Sequence, residues 1–331
     1  EKNVTLNAGS EAALFGGKVT FTAEYYNRHT RDMLLENPLA ISTGFTGYDA
    51  NVGSMRNQGF EFSGRVNIID MPNFRWDANA MASLNRNKVT SLTSSQDFIS
   101  AGASVIEVGR PIYTFYLSKT AGVDPATGKR LYYAYWKRGV DETGAVSNVR
   151  CDEYVTDNVS LASLSKYYMG SREPAVSGSL GSSFVIFKNI DLSFLTTWSI
   201  GGKVYDGLYS GTMNVQYAGN NWHKNVLRRW QKPGDVTDVP MVEIGGSAPA
   251  NNSALINASY FAIKNITLGY TFPKNWLSKM EISALRLFLT ADNIAMFNHL
   301  DGMDPQYNFT GSVSYSYTPS RAIVAGIDIQ F

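Results

Sequence analysis

Three histidines, one cysteine and two aspartate-bearing turns are the residues of this chain that could support catalysis or hold a metal. His29, His223 and His299 lie far apart, with no paired-histidine spacing of the HExxH kind, so zinc has no local framework. Cys151 stands alone, which rules out an internal disulfide or thiolate cluster, and it reads as an incidental loop thiol rather than a nucleophile. There is no Gly-x-Ser-x-Gly elbow and no glycine-rich phosphate loop. Asp301-Gly302-Met303-Asp304-Pro305 suggests calcium only weakly, because it lacks the alternating oxygen ligands of an EF-hand loop. In Asp124-Pro125-Ala126-Thr127-Gly128, aspartate and glycine serve the backbone geometry of a turn. The expectation is no catalytic residue, no cofactor and no metal, and the chain does not read as an enzyme.

Recognition chemistry is better represented. Tyr113, Phe115 and Tyr116, then Tyr132, Tyr133, Tyr135 and Trp136, fall in one long connection, and Trp222 and Trp230 fall in another. Flat aromatic faces stack on sugar rings or peptide groups and are enriched at interfaces. A connection of about 80 residues also needs a small core of its own, since structureless loops beyond about 15 residues are uncommon. Substrate contact and internal packing therefore both stay open for this set, with Tyr133, Tyr135, Trp136, Trp222 and Trp230 as the candidates for contact.

The elements that must position these residues are strands. The last nine residues, Ile323 to Phe331, place Ile323, Ala325, Ile327, Ile329 and Phe331 on one face and Asp328 and Gln330 on the other. The same alternation recurs along the chain. Val4 to Leu14 and Val19 to Tyr25 flank a Phe15-Gly16-Gly17-Lys18 turn. Phe60, Phe62, Val66 and Ile68 share one face and lead through Asp70-Met71-Pro72-Asn73 into Phe74, Trp76, Ala78 and Leu84. Val176 to Ile186 and Ile190 to Ile200 flank Lys188-Asn189. Tyr260 to Phe272 stops at Pro273, which cannot donate to a ladder, and Ala284 to Phe297 follows. The opposite faces carry Glu24, Arg28, Glu61, Arg65, Arg75, Asp77, Asp191, Arg286 and Asp292. Trp76, Trp198, Tyr260 and Tyr270, near strand ends, read as an interfacial aromatic girdle.

Composition agrees. Aromatics are 13% and charged residues only 17%, the profile of many strands joined by turns. No apolar run approaches the roughly 18 residues of a membrane helix. The formal net charge of +1 gives no nucleic-acid surface.

Connections alternate between short, near 15–18, 69–73, 188–189 and 273–282, and long, near 35–55, 90–172, 203–257 and 298–318. That parity, with an apolar face and a polar face on every strand, is the pattern of an all-β transmembrane antiparallel β-barrel with short periplasmic turns and long extracellular loops. About nine strands is an odd number where bacterial single-chain barrels have an even one, so the chain is expected to be part of a larger barrel. Its first residues, Glu1-Lys2-Asn3-Val4, read as strand and show no signal peptide, as expected after cleavage or within a longer protein.

Specific segments then resemble a known family. Asn57-Gln58-Gly59-Phe60-Glu61, Val108-Gly109-Arg110-Pro111-Ile112, Gly122 to Gly128 and Trp230-Gln231-Lys232-Pro233-Gly234-Asp235-Val236-Thr237-Asp238-Val239-Pro240 resemble the carboxyl-terminal part of SusC/RagA-type TonB-dependent transporters. So do Ser259 to Pro273, Ala291-Asp292-Asn293-Ile294 with Gly302-Met303-Asp304-Pro305, and the final strand. Across residues 1–331 the resemblance implies the carboxyl-terminal portion of a plugged barrel of about 22 strands. It lies in the outer membrane of a Gram-negative, Bacteroidetes-like bacterium, with its carboxyl terminus in the periplasm. The implied partners are an amino-terminal plug and the remaining strands, a SusD-like lipoprotein lid, TonB, and the barrel assembly machinery. The implied function is TonB-dependent uptake of oligosaccharides or oligopeptides. The rival readings are a lidless siderophore or vitamin receptor, and a non-transport surface barrel acting as an adhesin or binding module. On the inward faces that the alternation defines, Glu61, Arg65, Arg75, Asp77 and Arg286 are the candidates to face the lumen or plug, with a solvated or mutually paired wall as the other reading. The final strand resembles the family's assembly signal at Gly326, Ile329 and Phe331, although Val324 stands where a polar residue is usual.

Overall fold

The computed structural model describes residues 1–331 except 40, 46, 94–97, 141–144, 216–218, 247, 278–280, 301, 307–308 and 316. Nine strands form one antiparallel sheet, each paired with the next in sequence: β1 (Lys2–Leu14), β2 (Val19–Arg31), β3 (Ser54–Met71), β4 (Phe74–Ser91), β5 (Val176–Ile186), β6 (Ile190–Ile200), β7 (Tyr260–Thr271), β8 (Ala284–Asn298) and β9 (Ala322–Gln330). β1 and β9 are its two edges, and the sheet is not closed, as befits a portion of a barrel wall.

The period of two in the sequence becomes two unlike faces. Phe21, Phe62, Leu180, Leu268, Leu289 and Ile327 lie on one face, and each is more than two-fifths exposed, so the described residues of the chain leave that face uncovered. Thr22, Ser63, Arg65, Asp77, Asp191 and Arg286 lie on the other. Two hollows along the wall, one bordered by Glu24, Glu61 and Ser83 and the other by Thr20, Arg65 and Asn79, open on this polar face. It is therefore the concave side.

Strict alternation fails at four places, one of them at the loop end of the β3–β4 pair, between Ser54 and Met55. The β3–β4 register shifts between Asn67 and Ile69, so Ile69 opposes Trp76 and Ile68, expected in the apolar row, is the extra residue. β7 bulges at Lys264 against β6. β8 bulges near Asn293, whose φ of 50° suits asparagine better than most side chains. Tyr260 corrects a second expectation. It pairs with Ser199, out of the row of Trp198 and Phe261, and borders the polar hollow instead of joining an outer girdle.

Short connections close one end of the sheet. In the β5–β6 turn the left-handed residues are Phe187 and Lys188, while Asn189 binds the end of β7 through its side chain to the Thr271 carbonyl at 2.6 Å. The other end carries the long connections, 32–53, 92–175, 201–259 and 299–321. These hold the core. In the second, strands Phe98–Ala101, Ser104–Glu107, Thr114–Val123, Arg130–Val140 and Val146–Thr156 pair in succession. Phe115 and Leu117 pack with Tyr205 and Ala254 of the third connection, and Val204 and Ala258 pack with Leu300, Met303 and Val313 of the fourth. A third cluster joins Val89, near the loop end of β4, to Ile99 and Ile106.

Candidate functional site

Side chains pin the foot of the second connection to β4. Gly59 leaves room for the Leu84 carbonyl and the Tyr26 ring, both of which a Cβ there would strike. Tyr26 Oη donates to Asn85 Oδ1 at 2.7 Å, and Asn85 Nδ2 donates to Glu173 Oε1 at 2.6 Å. The same Glu173 oxygen accepts from the Asn87 N–H at 2.8 Å, and Asn87 Oδ1 accepts from the Ile112 N–H at 2.7 Å. The connection thus leaves and returns beside two residues of one strand. Burial pushes the Glu173 carboxyl above the usual range, against the lowering effect of the Asn87 and Asn85 hydrogen bonds and of Arg86.

The Asp124-to-Gly128 turn is a docking element. Asp124 accepts from the Ala126 N–H at 2.9 Å and the Thr127 hydroxyl at 2.7 Å, which holds its carboxyl below the usual range. Gly128 has φ +73°, and the Trp230 ring lies where its Cβ would be. Trp230 Nε1 donates to the Pro125 carbonyl at 2.9 Å, joined by the Gly234 N–H to Pro125 at 2.8 Å and the Met241 N–H to Gly128 at 2.9 Å. Within the docked segment, Asp235 accepts from the Gln231 and Lys232 amides, both at 3.0 Å. Two stretches that share a family resemblance in sequence are therefore one contact in space.

The sheet of the second connection carries cations over aromatic rings. Arg110 lies 3.3 Å above the Tyr168 ring, Lys119 4.2 Å from that of Tyr133, and Arg150 5.1 Å from that of Tyr135. Tyr135 is fixed further by its N–H to Ser165 Oγ at 3.0 Å and its hydroxyl to the Lys166 carbonyl at 2.7 Å. Burial pushes the Tyr116 and Tyr167 phenols well above their usual range, which keeps both neutral. Trp136 packs beside Tyr135 at 6.4 Å, and Trp222 stands exposed on the third connection.

On the polar face of the wall, Asp77 accepts from Arg65, Arg75 and Asn67. Arg286 forks onto Asp191 at 2.7 and 3.0 Å and reaches Asp328 at 3.3 Å. This fork crosses β7 over Gly269, where a Cβ would strike both partners. Glu61 lies opposite Glu24 in register. On the last strand the Phe288 ring covers Gly326, while Ile329 and Phe331 are exposed.

Among the described residues no three histidine, cysteine or carboxylate side chains group as metal ligands. Asp301 lies outside the described residues, and Asp304 accepts from the Gln306 N–H at 2.8 Å, as a turn residue does. Sequence reasoning missed Glu173 and Arg130. Neither lies in a recognisable motif; Glu173 matters through Asn85 and Asn87, more than 80 residues away in the chain, and Arg130 through the cavity that it borders. Arg130 borders a cavity of about 460 Å³ between the second and third connections, with Tyr132, Tyr209, Met213 and Met241 among its walls.

The family model described as TonB dependent receptor-like, beta-barrel matches residues 1–294. TonB-dependent receptor SusC of Bacteroides thetaiotaomicron is 27% identical, over all of this chain and 32% of that protein. TonB-dependent receptor P39 of Formosa agariphila is 25% identical, over all of this chain and 36% of that protein. Among solved structures, the RagAB peptide transporter matches 99% of this chain and 35% of its own with a TM-score of 0.85 at 26% identity. The chain thus spans about a third of the length of the relatives it matches.

Proposed function

Because the chain belongs to the TonB dependent receptor-like β-barrel family, we propose that it forms the carboxyl-terminal wall and outer loops of an outer-membrane importer, which takes up oligosaccharides or oligopeptides by a TonB-dependent cycle beneath a SusD-like lipoprotein. The observation that carries this reading is the two-faced wall with every long connection at one end, a layout that RagAB, a peptide transporter by description, shares over nearly the whole chain. The apolar row faces lipid, the polar row faces the lumen and plug, and the loop end faces outward.

In this cycle the chemistry is conformational. Substrate is held between lid and loops, then passes the plug when TonB, driven by the inner-membrane proton gradient, pulls on it. The loop layer suits the first task because its core is packed independently of substrate. A lid seat is supported by apolar side chains that the loop layer leaves exposed, among them Leu227, Val236, Tyr315 and Tyr317.

The test is mass spectrometry of the complex purified from outer membranes, identifying co-purifying chains and retained ligand. A plug-bearing sequence, a SusD-like lipoprotein and a glycan or peptide mixture are expected. A plug without any lipoprotein would move the reading to a lidless receptor, and a barrel with no plug would overturn import.

A further inference from the structure

The cavity between the second and third connections lies behind the docked turn, and its walls differ from those of the hollows along the barrel. Its volume of about 460 Å³ falls in the range of small-molecule sites, roughly 300–1,000 Å³. Apolar surface comes from Val159, Met213, Val215 and Met241, and hydroxyls from the Tyr132, Tyr209 and Ser210 side chains.

The charges around it are unevenly matched. Lys129 pairs with Asp157 at 3.1 Å. Asp238 pairs with Arg228 at 3.5 Å. Glu243 is exposed. Arg130 pairs with Val123 in the backbone ladder, but its guanidinium has neither a hydrogen bond nor an ion pair among the described residues. Arg130 is itself one of the walls of the cavity, beside Tyr132 and Tyr209, and burial lowers its proton affinity, opposed among nearby ionised groups by the Asp238 carboxylate. A guanidinium offers five donors in a rigid fork suited to a carboxylate. Leaving it unpaired in a partly desolvated place is unfavourable. The Tyr132 phenol, kept protonated by burial, adds a further donor.

We propose that this cavity is a carboxylate-binding site in the loop layer, with Arg130 as its anchor, the hydroxyls as supporting donors and the methionine and valine side chains packing against the body of the ligand. The carboxylate has two sources, the free end of a peptide or the acid group of a uronate-bearing glycan. The source rests on the importer reading, whereas binding itself does not.

The test uses the intact outer-membrane complex in detergent, with calorimetric titration and no energised TonB. The probes are trialanine against its C-terminal amide, and trigalacturonate against maltotriose. The expected result is that at least one acid probe binds, its neutral counterpart at least tenfold more weakly. Arg130→Gln loses at least tenfold for the acid probe alone, and Arg130→Lys falls between. Trialanine binding assigns a peptide end and trigalacturonate binding assigns a uronate. Equal binding of acid and neutral probes, no binding of either acid, or an unchanged Arg130→Gln overturns the site. Hydrogen exchange over Thr114–Val123 reports whether each variant keeps the loop fold, and the wild-type probe comparison decides the matter if a variant does not. Loss of TonB-dependent uptake with acid binding intact would count against import and leave this site standing.

Discussion

The wall and the loop layer are held together by different physics. In the wall, backbone ladders satisfy one another from β1 to β9 while large apolar side chains stay uncovered. Among the largest fully buried side chains, Tyr132, Phe115, Leu117, Val105, Val204 and Val313 belong to the long connections, and Val89 lies at the loop end of β4. A sheet that meets lipid needs every backbone group paired but no apolar core behind it. Connections exposed to water must bury apolar surface to remain ordered. The same chain thus solves two solvent problems, and a substitution should act according to the region it falls in.

The sharpest division comes from Phe115→Ala, which deletes a fully buried ring of the loop core and should cost about 3–5 kcal/mol. Hydrogen exchange should accelerate across Thr114–Val123 and Lys203–Asp206 while β5 to β9 stay protected. Joint loss of protection would break the comparison. Phe194→Arg, on the apolar face midway along β6, is the converse and should cost about 2–4 kcal/mol near the bilayer midplane. Folded yield into lipid vesicles should fall, and an unchanged yield would mean the faces are assigned the wrong way round.

Smaller changes sharpen the boundary. Gly128→Ala meets both a left-handed backbone and the Trp230 ring, so the docked turn should loosen by about 1–2 kcal/mol or more. Faster proteolysis confined to 124–128 and 230–241 would report it. The smallest effect concerns Glu173, whose folded carboxyl titrates above its ordinary value of 4.5. Its contribution is complete below that value and is lost as pH rises through the raised one. Exchange at the foot of the second connection, corrected for intrinsic rate, should therefore quicken over that window. Glu173→Gln should flatten the profile, and a profile indifferent to the substitution would remove the carboxyl from the anchor.

All nine strands could be read from the sequence because each wall residue meets one of two environments that alternate without interruption. The exceptions are local. Ile68, Lys264 and Asn293 sit at bulges, where backbone geometry overrides the hydrophobic pattern, and the inward Tyr260 follows from its register with Ser199. The loop layer was legible only as a need for a core. Which residues meet there depends on contacts such as Trp230 with Gly128, across more than 100 positions, and no period encodes those. Arg130 was invisible for the same reason, since its distinction is a guanidinium beside a cavity with no partner among the described residues.

The anchoring of the second connection at Asn85 and Asn87 has an evolutionary consequence. With both feet tied beside one strand, the stretch between Ile112 and Glu173 is a cassette whose ends already meet. Lengthening or exchanging such a segment adds little closure entropy and leaves the neighbouring ladder register untouched. Selection could then remodel the outer surface repeatedly without redesigning the barrel, provided the 230–241 dock and the Tyr205 and Ala254 side of the shared core are exchanged along with it.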